Sequence, residues 1–230
     1  MLDVLIIHYN TPELTAAAIQ SLWKHTPQAR VTVFDNSDKR PFGPIQDERC
    51  TVIDNTRGQV VNFEWWLAMF PDKMPCPEND YGSAKHCFSV EMCYDLFPDG
   101  FVLMDSDVLL KRDITPLCDK SRAFVGRIHC NTRRLGIRVN RLCPWLCWIN
   151  TPLLNPLGVR YYNKDKMWKL HPLPAGGYDT GAWFLEAALE TGLPYSNIEI
   201  TDYIEHFRAA SWRKPNGHIE WLNERRRLWA

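Results

Sequence analysis

Residues 3–35, DVLIIHYNTPELTAAAIQSLWKHTPQARVTVFD, decide the fold of this chain. The run at residues 3–8 is short and apolar, as expected for a strand buried on both faces of a parallel sheet. The dipeptide Thr11-Pro12 marks a helix start, because threonine is a good N-cap and proline suits the first helical position. Apolar residues then recur at helical spacing until Pro27, which ends the helix. With a second apolar run at residues 30–34, the stretch predicts a strand–helix–strand unit.

The rest of the first half continues this alternation, and the second half is less regular. Strands that alternate with helices imply a mostly parallel sheet with right-handed crossovers. In the first half we expect strands at residues 50–53 and 101–104 and helices at residues 62–69 and 83–96, with Ser83 as the N-cap of the last helix. In the second half we expect strands at residues 123–128 and 196–200, helices after Asn150 and over residues 180–190, and no clear period over residues 133–148. The chain has no internal repeat and no linker, so we predict one α/β domain over residues 1–230.

Composition and charge exclude several classes of protein. Hydrophobic residues make up 45% and charged residues 23% of the 230 residues, which is a globular mixture and not that of a disordered, collagen-like or coiled-coil chain. Lys and Arg number 27 and so do Asp and Glu, so the net charge is zero. A neutral chain lacks the electrostatic field of a general nucleic-acid binder.

Eight cysteines occur without any C-x-x-C pair, which favours buried, reduced thiols in a cytosolic protein. The first residues, Met1-Leu2-Asp3, lack the basic segment of a signal peptide. No run approaches the ~20 apolar residues that cross a bilayer. These features predict a soluble, cytoplasmic protein.

Polar side chains follow three of the predicted strands, at Asp35, at Asp54 and at Asp105-Ser106-Asp107. In an open α/β sheet, ligands bind beyond the carboxyl ends of the strands, which is where these residues gather. Asp105 and Asp107 follow a buried strand at a spacing that lets both carboxylates turn toward one point. Mg²⁺ or Mn²⁺ takes such carboxylates together with substrate phosphates, and the ion would let a neutral protein hold a diphosphate. The alternative is a polar strand end with capping aspartates.

The loop after the first strand, Tyr9-Asn10-Thr11-Pro12-Glu13, opens a helix. A helix N-terminus at this point can direct N–H groups at a phosphate or a base edge. The loop has no glycine-rich segment, so a dinucleotide or P-loop site is not supported. Asp35 can accept a hydrogen bond from a ribose hydroxyl or a base N–H, or it can form an Asx turn.

These pieces together resemble a family-2-type glycosyltransferase of the GT-A fold. The matching segments are HYNTPELTAAAIQSL (8–22), DNSD (35–38), VIDNTRG (52–58) and FVLMDSDV (101–108). They place Tyr-Asn after the first strand, an acidic cluster after the second and a D-x-D motif after the fourth, in the order typical of the family. The resemblance implies a GT-A fold, with a mostly parallel central sheet flanked by helices. It also implies a nucleotide-binding half at residues 1–115 and an acceptor-binding half at residues 116–230.

Two later segments extend the resemblance. GYDTGAWF (177–184) is similar to the acceptor-side element of these enzymes, which implies that Asp179 is the general base. The usual Glu-Asp pair of the family is absent there, and Glu186 is the next acid, so the base is either Asp179 or Glu186. YIEHF (203–207) resembles the segment that supplies a late histidine as third metal ligand, which implies that role for His206.

The resemblance assigns binding roles to the remaining candidates. Tyr9, Asn10 and Asp35 would hold the nucleoside, and Asp105 with Ser106 would reach the ribose or the metal. Asp105, Asp107 and His206 would hold Mn²⁺ or Mg²⁺. The segment Gly82-Ser83-Ala84-Lys85-His86 replaces a glycine- and alanine-rich stretch of the family, and Lys85 would either meet a phosphate oxygen or be solvated.

The function implied is metal-dependent, inverting transfer of a sugar from a nucleotide-diphosphate donor to an acceptor hydroxyl. The acceptor would be a glycan or a lipid-linked glycan, in cell-surface polysaccharide or glycolipid synthesis. The alternatives are a nucleotidyltransferase and a catalytically inactive relative that binds a sugar or nucleotide.

The tryptophans and the basic tail each have two possible interpretations. Three tryptophans either stack on a sugar or fill the core, namely Trp145, Trp148 and Trp183. The tail Arg225-Arg226-Arg227-Leu228-Trp229 either meets anionic lipid at the inner face of the membrane or is a solvated face.

Overall fold

The computed structural model describes residues 1–62, 80–132, 138–163, 180–207 and 217–230. These residues form a seven-stranded sheet with helices on both faces, and a separate two-stranded ribbon. The strands of the sheet are β1 (Leu2–His8), β2 (Ala29–Asp35), β3 (Cys50–Asp54), β4 (Phe101–Asp105), β6 (Phe124–Thr132), β7 (Arg138–Ile149) and β8 (Ser196–Asn197), and the ribbon pairs β5 (Val108–Leu110) with β9 (Ile204–His206). The helices are α1 (Pro12–His25), α2 (Asp80–Tyr94), α3 (Thr151–Leu154), α4 (Ala182–Glu190), α5 (Gly217–Glu224) and α6 (Arg226–Trp229).

The strand–helix–strand unit predicted at the start of the chain is confirmed. Helix α1 begins at Pro12 and ends at His25, two residues before Pro27. Thr11 occupies the N-cap position, but its side chain makes no capping hydrogen bond. Its hydroxyl is therefore not what starts the helix. The local signals that remain are the fixed backbone angle of Pro12 and the acidic Glu13 in the first turn.

The sheet runs in the order β3-β2-β1-β4-β7-β6-β8. Strand β1 pairs in parallel with β2 and β4, and β2 pairs in parallel with β3. Strand β7 is antiparallel to both β4 and β6, and β8 is parallel to β6. The sheet is thus mostly parallel, as predicted. The chain leaves β1 toward β2 and later returns to its other side as β4, and open α/β sheets bind ligands at such a reversal of strand order.

Strand β7 was not predicted, because it lacks the alternation by which a half-buried strand is recognised. Leu142, Cys143, Leu146 and Cys147 are all buried, so both faces of the strand are covered. The ribbon of β5 and β9 was also missed, since each strand has only three residues. Helix α2 begins before the predicted N-cap Ser83, and β8 is shorter than expected. Residues 63–69 of the predicted helix at 62–69 lie outside the described residues.

The two larger parts of the core lie on opposite faces of the sheet, and a third, smaller group surrounds Leu14 of α1. Successive side chains of a strand point to opposite faces, so Leu5 and Ile7 of β1 join the part covered by α2 and α4, and Val4 and Ile6 join the part covered by α1. All seven cysteines among the described residues are free. None of the described helices is long and apolar enough to cross a membrane.

Candidate functional site

The carboxyl ends of β1 to β4 meet at one edge of the sheet, and their polar residues lie in register. Ile7 pairs with Asp105, His8 pairs with Asp35, and Asp35 pairs with Asp54. The sheet therefore gathers the strand-end acids at one edge, as the sequence predicted, and the reversal of strand order between β1 and β4 places Asp105 at its centre.

Asp105, Asp107 and His206 form a cluster just beyond β4. One donor atom from each residue lies within 4.8 Å of the other two. The closest pair is His206 Nε2 and Asp107 Oδ1, 3.0 Å apart. The ribbon explains this proximity, because His206 lies opposite Val108 and the backbone N–H of Phe207 donates to the carbonyl oxygen of Asp107 at 2.9 Å.

His86, which was not among the predicted site residues, is a second imidazole beside Asp105. Its Nε2 lies 3.4 Å from Asp105 Oδ1, and it comes from α2. Burial raises the pKa of the Asp105 carboxyl, but the hydrogen bond and charge of His86, with the charges of His206 and Arg141, outweigh burial and leave that pKa below the usual 3.8. Asp105 is therefore a carboxylate at neutral pH. The position next to Lys85 is the one local signal that could have drawn attention to His86.

Trp145 of β7 holds the ring of His206. The indole and imidazole are stacked, with centroids 4.1 Å apart and an interplanar angle of 23°. This contact fixes the plane of the ring whose Nε2 approaches Asp107. The other ring nitrogen, Nδ1, is buried and has no hydrogen-bond partner among the described residues.

The cluster fits a divalent cation. Two carboxylates and one imidazole offer the oxygen and nitrogen donors that Mn²⁺ accepts, and the carboxylates alone suit Mg²⁺. The three donor atoms lie within 4.8 Å of one another, which is close enough for them to share one ion. Their role as metal ligands stays a prediction.

Asn10 organises the loop that follows β2. It has a left-handed backbone, with φ of 56°. Its side-chain oxygen accepts from the backbone N–H groups of Lys39 and Arg40 at 3.0 and 2.9 Å, and its amide donates to Asp38 Oδ1 at 2.6 Å. Its backbone N–H donates to Ser37 Oγ at 2.9 Å. The side chain thus joins the loop after β1 to the loop after β2.

Asp35 is buried and also serves this loop. One carboxylate oxygen accepts from the backbone N–H of Ser37 at 2.9 Å, and the other accepts from that of Phe42 at 2.7 Å. The first bond forms the Asx turn that was one of the two predictions for Asp35. In the structure both carboxylate oxygens of Asp35 accept backbone hydrogen bonds. A direct contact from Asp35 to a nucleoside stays a prediction.

The other predicted binding residues differ in exposure. Tyr9 is 41% exposed beside the loop, whereas Ser106 and Lys85 are half-buried. Partial burial, and to a lesser extent the nearby charge of Asp38, raises the pKa of the Tyr9 hydroxyl above 10.0. The hydroxyl is therefore neutral and can donate a hydrogen bond. Lys85 lies on α2 one residue before His86, which places it on the element that reaches Asp105.

The start of α4 is fixed against β7. Gly181 has φ of +79°, and a Cβ added there would lie 2.2 Å from the carbonyl oxygen of Leu142. The carbonyl oxygen of Gly181 accepts from the backbone N–H of Leu142 at 3.2 Å. Glu186, one candidate base, is half-buried on α4, and Asp179, the other, lies outside the described residues.

The tryptophan and tail alternatives are partly resolved. Trp148 is 3% exposed within the core, and Trp183 is half-buried against it, whereas Trp145 contacts the cluster. In the tail, Leu228 and Trp229 pack against the apolar group around Leu14 of α1. These two side chains therefore contact the protein itself.

The comparisons with known proteins concern the fold. No protein-family model and no curated protein matches this chain. The galactosyltransferase LgtC, solved in complex with donor and acceptor sugar analogs, superposes with a TM-score of 0.58 at 15% identity, covering 99% of this chain and 95% of LgtC. An active-site mutant of LgtC gives a TM-score of 0.54 at 16% identity, covering 85% of this chain and 73% of the mutant. The chain therefore has a fold like that of a GT-A glycosyltransferase, and the narrower family-2 assignment stays a prediction.

Proposed function

We propose that this protein transfers a sugar from a nucleotide-diphosphate donor to an acceptor hydroxyl. The observation that carries the proposal is the cluster of Asp105, Asp107 and His206 at the strand reversal of the sheet. The likeness of fold to LgtC, whose structure was solved with donor and acceptor sugar analogs, supports it. In this proposal the cluster holds Mn²⁺ or Mg²⁺.

The bound cation would neutralise the negative charge that develops on the diphosphate as the sugar–phosphate bond breaks. The chain's own residues would orient the donor around it. Asn10 and Asp35 shape the loop after β2, and the exposed ring of Tyr9 lies beside that loop, where it is available to a nucleoside. Lys85 and Ser106 flank the cluster and would contact phosphate and ribose oxygens.

The acceptor hydroxyl must lose a proton as it attacks. We propose Asp179 as the general base and Glu186 as the alternative, since such a base contributes about 10²–10⁴-fold to the rate. Inversion at the anomeric carbon follows from the family-2 resemblance, and the proton NMR spectrum of the first product formed distinguishes it from retention. The proposed acceptor is a glycan or a lipid-linked glycan at the inner face of the membrane, in cell-surface polysaccharide or glycolipid synthesis.

The test is turnover of a panel of nucleotide sugars with Mn²⁺, with Mg²⁺ and with EDTA. We expect one donor to be consumed only when a divalent cation is present. Asp107→Asn removes a charged ligand, so we expect its rate to fall at least about 100-fold. The matched control is Asp99→Asn, at an exposed turn before β4, which should retain the wild-type rate. Turnover that is equal in EDTA, or equal in both variants, would refute the metal-dependent function.

A further inference from the structure

His206 differs from the two aspartates of the cluster in how it is held. Asp105 and Asp107 belong to the end of β4 and the turn after it, at the middle of the main sheet. His206 belongs to β9, a three-residue strand whose described pairing is to β5 and not to the main sheet. A strand this short needs support from other elements to hold its side chains in place.

The two faces of β9 contact different parts of the molecule. Successive side chains of a strand point in opposite directions. His206 faces Asp107 and Trp145. Its two neighbours contact the C-terminal helices, a name that covers α5, α6 and the residue Arg225 between them. Glu205 pairs with Arg225, and Phe207 contacts Trp221 of α5.

The contacts from the C-terminal helices are both ionic and aromatic. Arg225 donates from Nε to Glu205 Oε2, and its guanidinium lies over the ring of Trp221 at 5.0 Å from the centroid. The same Trp221 ring contacts Phe207, with centroids 5.3 Å apart. The two residues that flank His206 in sequence are therefore both held by one turn of α5 and the residue that follows it.

The C-terminal helices are themselves fixed to α1. Lys24 Nζ donates to the carbonyl oxygens of Arg227 and Ala230 at 2.8 and 2.6 Å, near the end of the chain. Trp229 donates from Nε1 to the carbonyl oxygen of Leu222 at 3.1 Å, which ties α6 to α5. A continuous set of contacts thus runs from α1 through the C-terminal helices to β9.

We propose that the C-terminal helices position His206 for metal binding, with Arg225 acting as a positioning residue through Glu205. The inference rests on the proposed metal-dependent function. Loss of the Arg225–Glu205 ion pair would let β9 shift, so that the His206 ring leaves its place between Trp145 and Asp107. Asp105, at the end of β4 in the main sheet, would keep its position.

The experiment compares the full-length wild-type chain with Arg225→Gln, Glu205→Gln and the double variant. Manganese chloride alone is the probe, and its Kd is measured by electron paramagnetic resonance. The ring signals of His206, assigned with His206→Gln, are followed in proton–nitrogen spectra without metal, because the stacked indole of Trp145 shifts them. Arg226→Gln is the control, since it removes the same charge from the next, exposed position. Far-ultraviolet circular dichroism verifies that each variant is folded.

We expect Arg225→Gln to weaken Mn²⁺ binding about 10-fold, the lower end of what outer residues of metal sites contribute. We also expect the His206 signals to move toward unstacked values. Glu205→Gln should behave alike, and the double variant should add little, because the two residues act as one pair. Arg226→Gln should match the wild type.

Other results would separate the two proposals. Unchanged His206 signals and unchanged Mn²⁺ affinity in Arg225→Gln would overturn the positioning role, as would an equal loss of affinity in Arg226→Gln. His206 signals that shift while Mn²⁺ affinity holds would overturn it as well. If no protein binds Mn²⁺ but Arg225→Gln still moves the His206 signals, the positioning of His206 stands and the metal-dependent function fails.

Discussion

At the scale of single residues, the edge of the sheet contains polar side chains of two kinds. The cluster of Asp105, Asp107 and His206 presents donor atoms to a common point. Asn10 and Asp35 instead hold backbone N–H groups of the neighbouring loop. The cluster residues and the loop-holding residues all lie near strand ends and look alike in the sequence. Only the cluster residues direct their donor atoms to a shared point.

Asp35→Asn tests the second kind. The change replaces one carboxylate oxygen with an amino group, which would face the backbone N–H of either Ser37 or Phe42. A buried donor left against another donor costs about 1–3 kcal/mol, so we expect the free energy of unfolding to fall by that amount in urea titrations. Glu48→Gln, an exposed change of the same type, should leave it unchanged. Equal stability of the two variants would contradict a structural role for Asp35.

His8 makes stability depend on pH. Burial lowers the pKa of this imidazole below 6.5, and the neighbouring charge of Asp35 opposes this in part. Because the unfolded chain binds the proton more readily, the stabilisation is fully present above pH 6.5 and is lost as the pH falls toward the lower folded value. We expect the Tm to decline over this range and His8→Gln to flatten the decline. Equal slopes in the wild type and in His8→Gln would contradict this role of His8.

At the scale of elements, two antiparallel features complete an otherwise parallel sheet edge. Strand β7 places Trp145 beside β4, and the ribbon of β5 and β9 places His206 opposite Val108. Helix α4 then begins against β7 at Gly181, where backbone approaches backbone. The strands β7 and β9, which place Trp145 and His206 at the site, therefore come from the second half of the chain.

Gly181→Ala tests the junction between α4 and β7. The left-handed backbone alone costs an alanine about 1–2 kcal/mol. The added Cβ would also lie 2.2 Å from the Leu142 carbonyl oxygen, so one of the two segments must move. Gly192→Ala is a matched control, because Gly192 has φ of +70° and nothing within 4 Å of an added Cβ. We expect thermal unfolding to show a clearly larger loss for Gly181→Ala, by more than about 2 kcal/mol. A loss equal to that of the control would contradict the close approach.

At the scale of the whole molecule, a cation and a nucleoside diphosphate should stabilise the fold together. A neutral protein holds a diphosphate weakly alone, and the ion supplies the missing positive charge. At 100 times its Kd a ligand adds about 2.7 kcal/mol, which for a chain of this size raises the Tm by roughly 5–10 °C. We expect this rise in a thermal-shift screen with Mn²⁺ plus one nucleoside diphosphate, and a smaller sum from the two added separately. In Asp107→Asn we expect the joint rise in Tm to equal the sum of the two separate rises. If the rises were already additive in the wild type, that would argue against a shared site.

The sequence alone determined the parts of this protein whose signals are local. The buried run of β1, the helix start at Pro12 and the acids after β2 and β4 each depend on neighbouring residues, and each is present where it was predicted. Parallel pairing then follows from alternation of strands and helices, so the sheet edge that carries the acids could be foreseen as well.

Only the tertiary structure decided which distant residues join those acids. His86 reaches the cluster from the crossover helix α2, and Trp145 reaches it from β7, an antiparallel strand buried on both faces. The C-terminal helices act on the cluster through the three-residue strand β9. None of these has a periodic pattern that names its partner, because their positions are set by packing between segments far apart in the chain. The sequence also could not separate an aspartate that holds a loop, such as Asp35, from one that belongs to the cluster, such as Asp107. That difference lies in which groups the folded chain brings to each carboxylate.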